Sequence, residues 1–212
     1  MKKWLTVAGL LAVIGVFSQC SVSKQVKEAK AFGDCKYRIT TVDSIYLAGT
    51  DIRELRNIRS IRDFDPTKYP HLGLAFLRKN IPLDLRVNLD ITNPTKTLAA
   101  INQLEYKVLL ADSELFSGFL NRRIEVYPGT GSTRVPINLS TNAYELLNND
   151  KTRDEFLAMV QALSGKADIK PTKLTIKVKP TLSLGDKQVN YPGYITFQEE
   201  ITREMLLGAS GY

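Results

Sequence analysis

The sequence predicts an all-β, antiparallel β-sandwich of about seven strands, interrupted by one or two helical insertions. Three observations carry that expectation. Ile81, Leu83, Leu85, Val87, Leu89 and Ile91 alternate with Pro82, Asp84, Arg86, Asn88, Asp90 and Thr92. A two-residue period over a dozen positions describes a strand with one face buried and one wet. Shorter runs with the same period recur at Leu104–Leu110, Val135–Leu139 and Leu174–Leu184. Turn signals separate them at Asn93-Pro94, Ala111-Asp112, Pro128-Gly129-Thr130-Gly131 and Gly185-Asp186. Strands joined by short turns pair antiparallel, and strands buried on one face pack as two layers.

The elements follow in chain order. The first strand opens in the β-rich run Tyr37–Val42, and Ile45 and Leu47 continue one face. The strand from Ile81 to Asn93 tolerates Pro82 only near its start and stops at Asn93-Pro94, because proline gives the ladder no donor and asparagine makes local turns. Leu104, Tyr106, Val108 and Leu110 line the next strand, residues 111–114 turn, and Leu115–Leu120 returns. Gly118 marks a bulge or a close approach there. Arg122–Tyr127 is expected to extend that strand beyond a kink. Val135, Ile137 and Leu139 supply another strand, Leu174, Ile176, Val178, Leu182 and Leu184 the next, and Tyr191–Ile201 the last. A helix is expected over 152–164: Thr152-x-x-Glu155 has the form of a capping box, Phe156, Met159, Val160 and Leu163 make an apolar stripe, and Gly165 takes the C′ position. In a second helical region, 51–79, Asp51-x-x-Glu54 caps a first turn and Pro66 follows Asp65 as a first-turn proline follows a cap. Leu72, Leu74, Ala75, Phe76 and Leu77 are then expected to pack on the sandwich as a short helix.

The first twenty residues read as an address. Lys2 and Lys3 precede an apolar run from Trp4 to Phe17, too short to span a bilayer and of the right length for a signal-peptide core. The run ends at Phe17-Ser18-Gln19-Cys20, which resembles a bacterial lipobox, although Phe17 and Gln19 depart from its usual residues. That resemblance implies cleavage before Cys20 and acylation of Cys20 with diacylglyceryl and palmitate-type chains, which together hold a protein on a membrane where one chain does not. An ordinary secreted chain with a Cys20–Cys35 disulfide is the alternative; with Cys20 acylated, Cys35 reads as a small packed hydrophobe. The expected organisation is a signal peptide over 1–19, a lipidated cysteine and flexible stem over 20–34, the sandwich over 35–204 and a tail over 205–212. The stem carries Lys24, Lys27 and Lys30 and is expected to be a solvated spacer. No acidic cluster follows Cys20, which favours an outer-membrane, periplasm-facing position in the cell envelope.

The runs "IPLDLRVNLDITNPT", "AINQLEYKVLLADSELFSGFL" and "PGTGSTRVPINLS" place Asn93-Pro94, Leu104-Glu105-Tyr106, Gly118 and Val135-Pro136 in one order. This ordered set resembles the late-embryogenesis-abundant type 2 family, also called the water-stress and hypersensitive-response domain, over most of residues 35–204. Thr95 stands where that family often has Asn or Tyr. The resemblance implies a sandwich similar to immunoglobulin or fibronectin-type domains and an association with stress tolerance, but no catalytic site.

The formal charge is +7, with 29 basic and 22 acidic residues, one histidine and two cysteines. His71 has no second histidine to join it, and no HExxH, GxSxG, Walker loop or CxxC motif occurs. Glu199 and Glu200 are neighbours on a strand and point to opposite faces. No enzyme activity, cofactor, metal site or nucleic-acid partner is therefore expected. Ile52-Arg53, Leu55-Arg56, Ile58-Arg59 and Ile61-Arg62 advance together every three residues, straight columns only on a three-per-turn coil. Arg53, Arg56, Arg59 and Arg62 are candidates for binding an envelope protein, a glycan or anionic lipid; the plainer reading is a solvated face paired with Glu54, Asp63 and Asp65. Lys173, Lys177 and Lys179 share one strand face, a solvated one by default. The function expected is a lipid-anchored, non-catalytic binding or stress-protective module. Two alternatives are a carrier of a lipid or other apolar ligand beneath Leu72–Leu77 and a carboxylate-dependent hydrolase.

Overall fold

The computed structural model describes residues 23–55, 57–58, 63, 65–129, 131–164, 172–184, 187–202 and 205. Its elements begin with α1 (23–33), β1 (Lys36–Leu47), β2 (Thr50–Asp51), a 3-10 turn (Ile52–Leu55), α2 (Pro70–Leu77), β3 (Pro82–Thr92), β4 (Ala99–Ile101) and β5 (Gln103–Leu110). They continue with β6 (Ser113–Leu120), β7 (Ile124–Val126), β8 (Ser132–Asn142), α3 (Tyr144–Asn148), α4 (Asp150–Leu163), β9 (Thr172–Leu184), β10 (Lys187–Asn190) and β11 (Ile195–Ile201). One antiparallel sheet has the order β2-β1-β3-β8. The other has the order β10-β9-β5-β6, with β11 beside β9 on the same edge as β10. The expected all-β sandwich is the fold, with short extra strands β2, β4, β7 and β10 beyond the seven long ones.

β3 is the strand on which the first sheet is built. It pairs with β1 on one side and, without a register shift, with β8 on the other. Leu83, Leu85, Val87, Leu89 and Ile91 are all buried, while Pro82, Asp84 and Arg86 stay exposed. Each such side chain taken from water contributes roughly 1.5–3 kcal/mol, so a one-residue slip of β3 would forfeit the whole set. β1 meets β3 with a different spacing. Its core residues Ile39, Val42 and Ile45 lie three apart, a spacing no regular strand can bury on one face. Register shifts at Ile39/Thr41 and Asp43/Tyr46 insert the extra residues, and Ser44 takes the left-handed region at φ 52°. Between the sheets, Leu85, Val87 and Leu89 face Tyr106, Val108, Ile176 and Val178.

The expected turn at 111–114 is tighter than its sequence implied: Ala111 and Asp112 both have positive φ, 47° and 64°, and Ser113 already pairs with Leu110. Two left-handed residues give a hairpin whose twist matches that of the strands. Gly118 lies opposite Tyr106, and a Cβ built on it would sit 2.5 Å from the Tyr106 Oη. The glycine is therefore a close approach; the bulge of this pair falls at Val108/Leu109 instead. Asn93 ends β3 by using its whole amide. Its Nδ2 donates to the carbonyls of Thr97 and Val126, both at 2.8 Å, and its Oδ1 accepts from Thr95 N (2.9 Å) and Thr95 Oγ1 (2.8 Å). The side chain thus locks the turn to β7, and Thr95 belongs to that lock.

Several expectations are corrected. Residues 122–127 do not extend β6; β7 leaves that sheet and pairs with β4. The helix expected from 152 starts earlier, at Asp150, where Asn149 caps it by accepting from Lys151 N at 2.9 Å. Thr152 is buried inside the first turn and donates to the Leu146 carbonyl at 2.8 Å, so it is no cap. Phe156, Met159, Val160 and Leu163 are buried as expected, and Gly165 lies outside the described residues. α2 starts at Pro70, whose missing N–H suits the first helical position, while Asp65 organises the preceding turn by accepting from Thr67 N at 2.8 Å. In α2 only Leu72 is buried; Leu74 and Leu77 are 50% and 80% exposed. The 20–34 stem, expected to be flexible, is helical over 23–33 and packs on the sandwich through Ala29, Ala31 and Phe32.

Substituting Gly118 with alanine drives its Cβ into the Tyr106 ring and is expected to cost about 1–3 kcal/mol in urea denaturation. Adding Tyr106→Leu should recover part of that loss. Additive losses in the double variant would show that the contact is not the cause.

Candidate functional site

The end of the sandwich that holds α1 is assembled from both sheets. Lys, Gln, Glu and Ala dominate residues 24–31 and favour a helix, and Lys24 Nζ lies 3.8 Å from Glu28 Oε1, one turn on. The Tyr37 hydroxyl of β1 donates to the Phe32 carbonyl, and the Phe32 ring meets the Tyr37 ring edge-on at 5.8 Å. Tyr37 stacks in turn on Phe197 of β11 at 5.5 Å. Burial pushes the Tyr37 hydroxyl well above its ordinary range. Glu28 is buried with the helix and meets Arg123, just after β6, at 3.5 Å. Gly33 abuts Tyr191: a Cβ there would lie 2.6 Å from the Tyr191 Oη. Cys35 is buried, and its thiol donates to the Ala31 carbonyl at 3.3 Å. Burial, with the neighbouring Asp34 charge, pushes that thiol up to about 11, so it packs as the small hydrophobe the sequence implied.

The edges of β1 and β11 face each other across a polar cleft of about 780 Å³. Arg38 and Thr40 line one side, and Lys173, Gln198, Glu199 and Glu200 the other. Glu199 reaches across, and its Oε1 accepts from the Ile39 N–H at 3.2 Å. A carboxylate on an edge N–H blocks that edge from pairing with a foreign strand. Burial raises the Glu199 carboxyl above its usual range, outweighing the lowering effects of the Ile39 hydrogen bond and of Arg38. Glu200 pairs instead with Lys173 at 3.5 Å. The two carboxylates therefore have separate partners, as their alternation implied, and do not form a dyad. Lys179 lies over the Tyr194 ring at 5.6 Å, on the outer face shared with Lys107, which pairs with Glu114 at 3.0 Å.

Two apolar cavities lie where a carrier would need them. One, roofed by Leu72 and Phe76 above Leu55, Ile81 and Phe156, holds about 70 Å³; the other, between the sheets, holds about 50 Å³. A lipid-sized ligand needs several hundred Å³, so the core is filled rather than hollow.

Of the arginine series, Arg53 is exposed and forked onto Asp51, with Nε 3.0 Å from Oδ1 and Nη2 2.5 Å from Oδ2. The guanidinium holds the Asp51 carboxyl below its ordinary range. The partner of Arg53 is thus Asp51. Ile52–Leu55 does adopt the three-per-turn coil that the triplet pattern favours. Arg56, Arg59 and Arg62 lie outside the described residues, as does Cys20. His71 is exposed on α2. Among the described residues no group of three or more His, Cys, Asp or Glu side chains converges, and no helix is long and apolar enough to cross a membrane.

No protein-family model matches the chain, and no curated protein does. Solved structures are distantly similar, two of them as follows. A crystal structure of a protein from Archaeoglobus fulgidus shares 15% identity at a TM-score of 0.31, covering 56% of this chain and 82% of that one. The solution structure of a protein described as late embryogenesis abundant (LEA) shares 13% identity at a TM-score of 0.29, covering 90% of this chain and 88% of that one. Both likenesses are too remote to carry an argument about family.

Two outcomes test this site. A raised carboxyl favours the protonated native state, so its stabilising effect is complete below the unfolded value and disappears as pH rises through the folded one. As pH rises above the ordinary glutamate range the wild-type chain should lose stability relative to Glu199→Gln, whose amide keeps an acceptor for Ile39; parallel profiles in urea would refute this. The Cys35 thiol should resist a disulfide reagent at pH 8 in the native chain and react at once in denaturant.

Proposed function

We propose that this chain is a lipid-anchored, non-catalytic module of the bacterial envelope, held at the outer membrane and facing the periplasm, with a binding or stress-protective task. The observation that carries the reading is the apolar run Trp4–Phe17 ending at Cys20, followed within three residues by a helix packed on the sandwich. An anchored domain needs a connection to its lipid, and α1 supplies a rigid one. The filled core favours a module that works through its surface over an apolar-ligand carrier. The stress-protective part of the reading rests on the resemblance to the late-embryogenesis-abundant type 2 pattern. The arginines at 53, 56, 59 and 62 remain the proposed contact for an envelope partner, with Arg53 already paired to Asp51.

Mass spectrometry of the protein isolated from membranes should find an N-terminal peptide that begins at Cys20 and carries acyl chains. Cys20→Ala should abolish labelling with a palmitate analogue. A mature N-terminus elsewhere, with an unmodified Cys20 thiol, would overturn the anchor.

A further inference from the structure

We propose that the outward face of α1 and the adjoining end of the first sheet form a basic seat for the anionic phospholipid headgroups of the leaflet that holds the anchor. The location rests on the anchoring reading above; the chemistry rests on the charges the fold displays. A loose stem would scatter its lysines in solution, whereas a docked helix holds them on one side. Glu28, Ala29 and Phe32 turn inward with Lys24 paired to Glu28 at their rim, and Val26, Lys27 and Lys30 are exposed on the opposite face. Because α1 meets Tyr37 of one sheet and Arg123, which follows β6 of the other, it lies across the end of the sandwich and its exposed face looks outward. Two further exposed lysines share this end. Lys36 opens β1 opposite Thr92, and Lys96 sits in the turn that Asn93 locks.

The acids nearby do not offset this charge at the surface. Glu28 is buried between Lys24 and Arg123, and Glu125 takes the Arg123 Nε at 2.6 Å. That leaves Asp34 as the exposed acid at this end among the described residues. Cys20 precedes residue 23 by three positions, so its acyl chains attach within about 11 Å of the first turn of α1. An anchor that close presses this end, rather than the α2 end, onto the bilayer. β3 separates the two ends by its eleven residues. Each lysine held near an anionic surface strengthens association about fivefold, so a weakly held domain becomes an oriented one.

The test uses polypeptide 20–212, which keeps every described residue, with Cys20→Ser so that no acyl chain is present. It should sediment with phosphatidylglycerol–phosphatidylethanolamine vesicles, be released by salt, and ignore vesicles of phosphatidylcholine alone. The triple reversal Lys27→Glu, Lys30→Glu, Lys96→Glu should weaken binding by well over 100-fold, since losing three fivefold contributions alone costs about 125-fold and the new carboxylates repel the surface. The matched reversal at the opposite end, Lys68→Glu, Arg78→Glu, Lys79→Glu, should leave it within about twofold. The neutral set Lys27→Gln, Lys30→Gln, Lys96→Gln, with an unchanged melting curve, should fall between. No binding to anionic vesicles, equal binding to phosphatidylcholine, or an equal loss in both reversals would overturn the seat. Acylation of Cys20 is read in a separate experiment, so failure of the anchor and failure of the seat are distinguishable.

Discussion

One apolar face along β3 governs the rest of the architecture. Five buried side chains at every second position can leave water only if a second layer covers them, and that layer is supplied by β5 and β9. The remaining strands follow from this. β8 matches β3 residue for residue, whereas β1 carries its core residues at the wrong spacing and reaches the same face only through two bulges. Among the described residues β2 pairs with β1 only at Tyr46 and Leu47, so the rest of that edge has no ladder partner. The fold answers with Tyr37 stacked on Phe197 and with Glu199 on the Ile39 N–H, two contacts that join the sheets where no ladder does.

Polar groups set the limits of the sandwich. Asn93 spends two donors and its acceptor oxygen on the turn and on β7, which fixes where β3 stops and where the β4–β7 ribbon begins. On the outer face of the first sheet, Asn88 Nδ2 donates to Thr41 Oγ1 at 2.6 Å and to Asp43 Oδ2 at 2.9 Å, tying β3 to the irregular part of β1. At the α1 end, the buried Glu28 is tolerable because Arg123 and Lys24 lie beside it. The same burial leaves the remaining lysines of that helix as an uncompensated outer face, so helix docking and surface charge share one cause.

The alternating strands were legible because a period of two leaves a mark in the sequence wherever one face is buried. The order of Asn93-Pro94, Tyr106 and Gly118 was legible as a pattern, and the structure supplies its physics: a saturated amide and a glycine that makes room for a ring. Other features left weaker marks. Residues 24–32 contain Gln25, Glu28, Ala29 and Phe32 at helical spacing, but only Phe32 is large and apolar, and three lysines suggested solvent. Thr152 and Glu155 have the spacing of a capping box, yet Asn149 won the cap because Thr152 found a buried carbonyl.

By itself the sequence determined which side chains must be hidden and where the chain can turn, since hydrophobic period and turn chemistry are local properties. Only the tertiary structure decided which strands became neighbours, that the segment after the proposed anchor is a docked helix, and that Glu199 crosses to another sheet. Glu28 of that helix meets Arg123 ninety-five positions on, and Glu199 meets Ile39 across one hundred and sixty, and distant pairing leaves no local trace: the free energy of burying Phe32 or satisfying the Ile39 N–H exists only once the sheets have met.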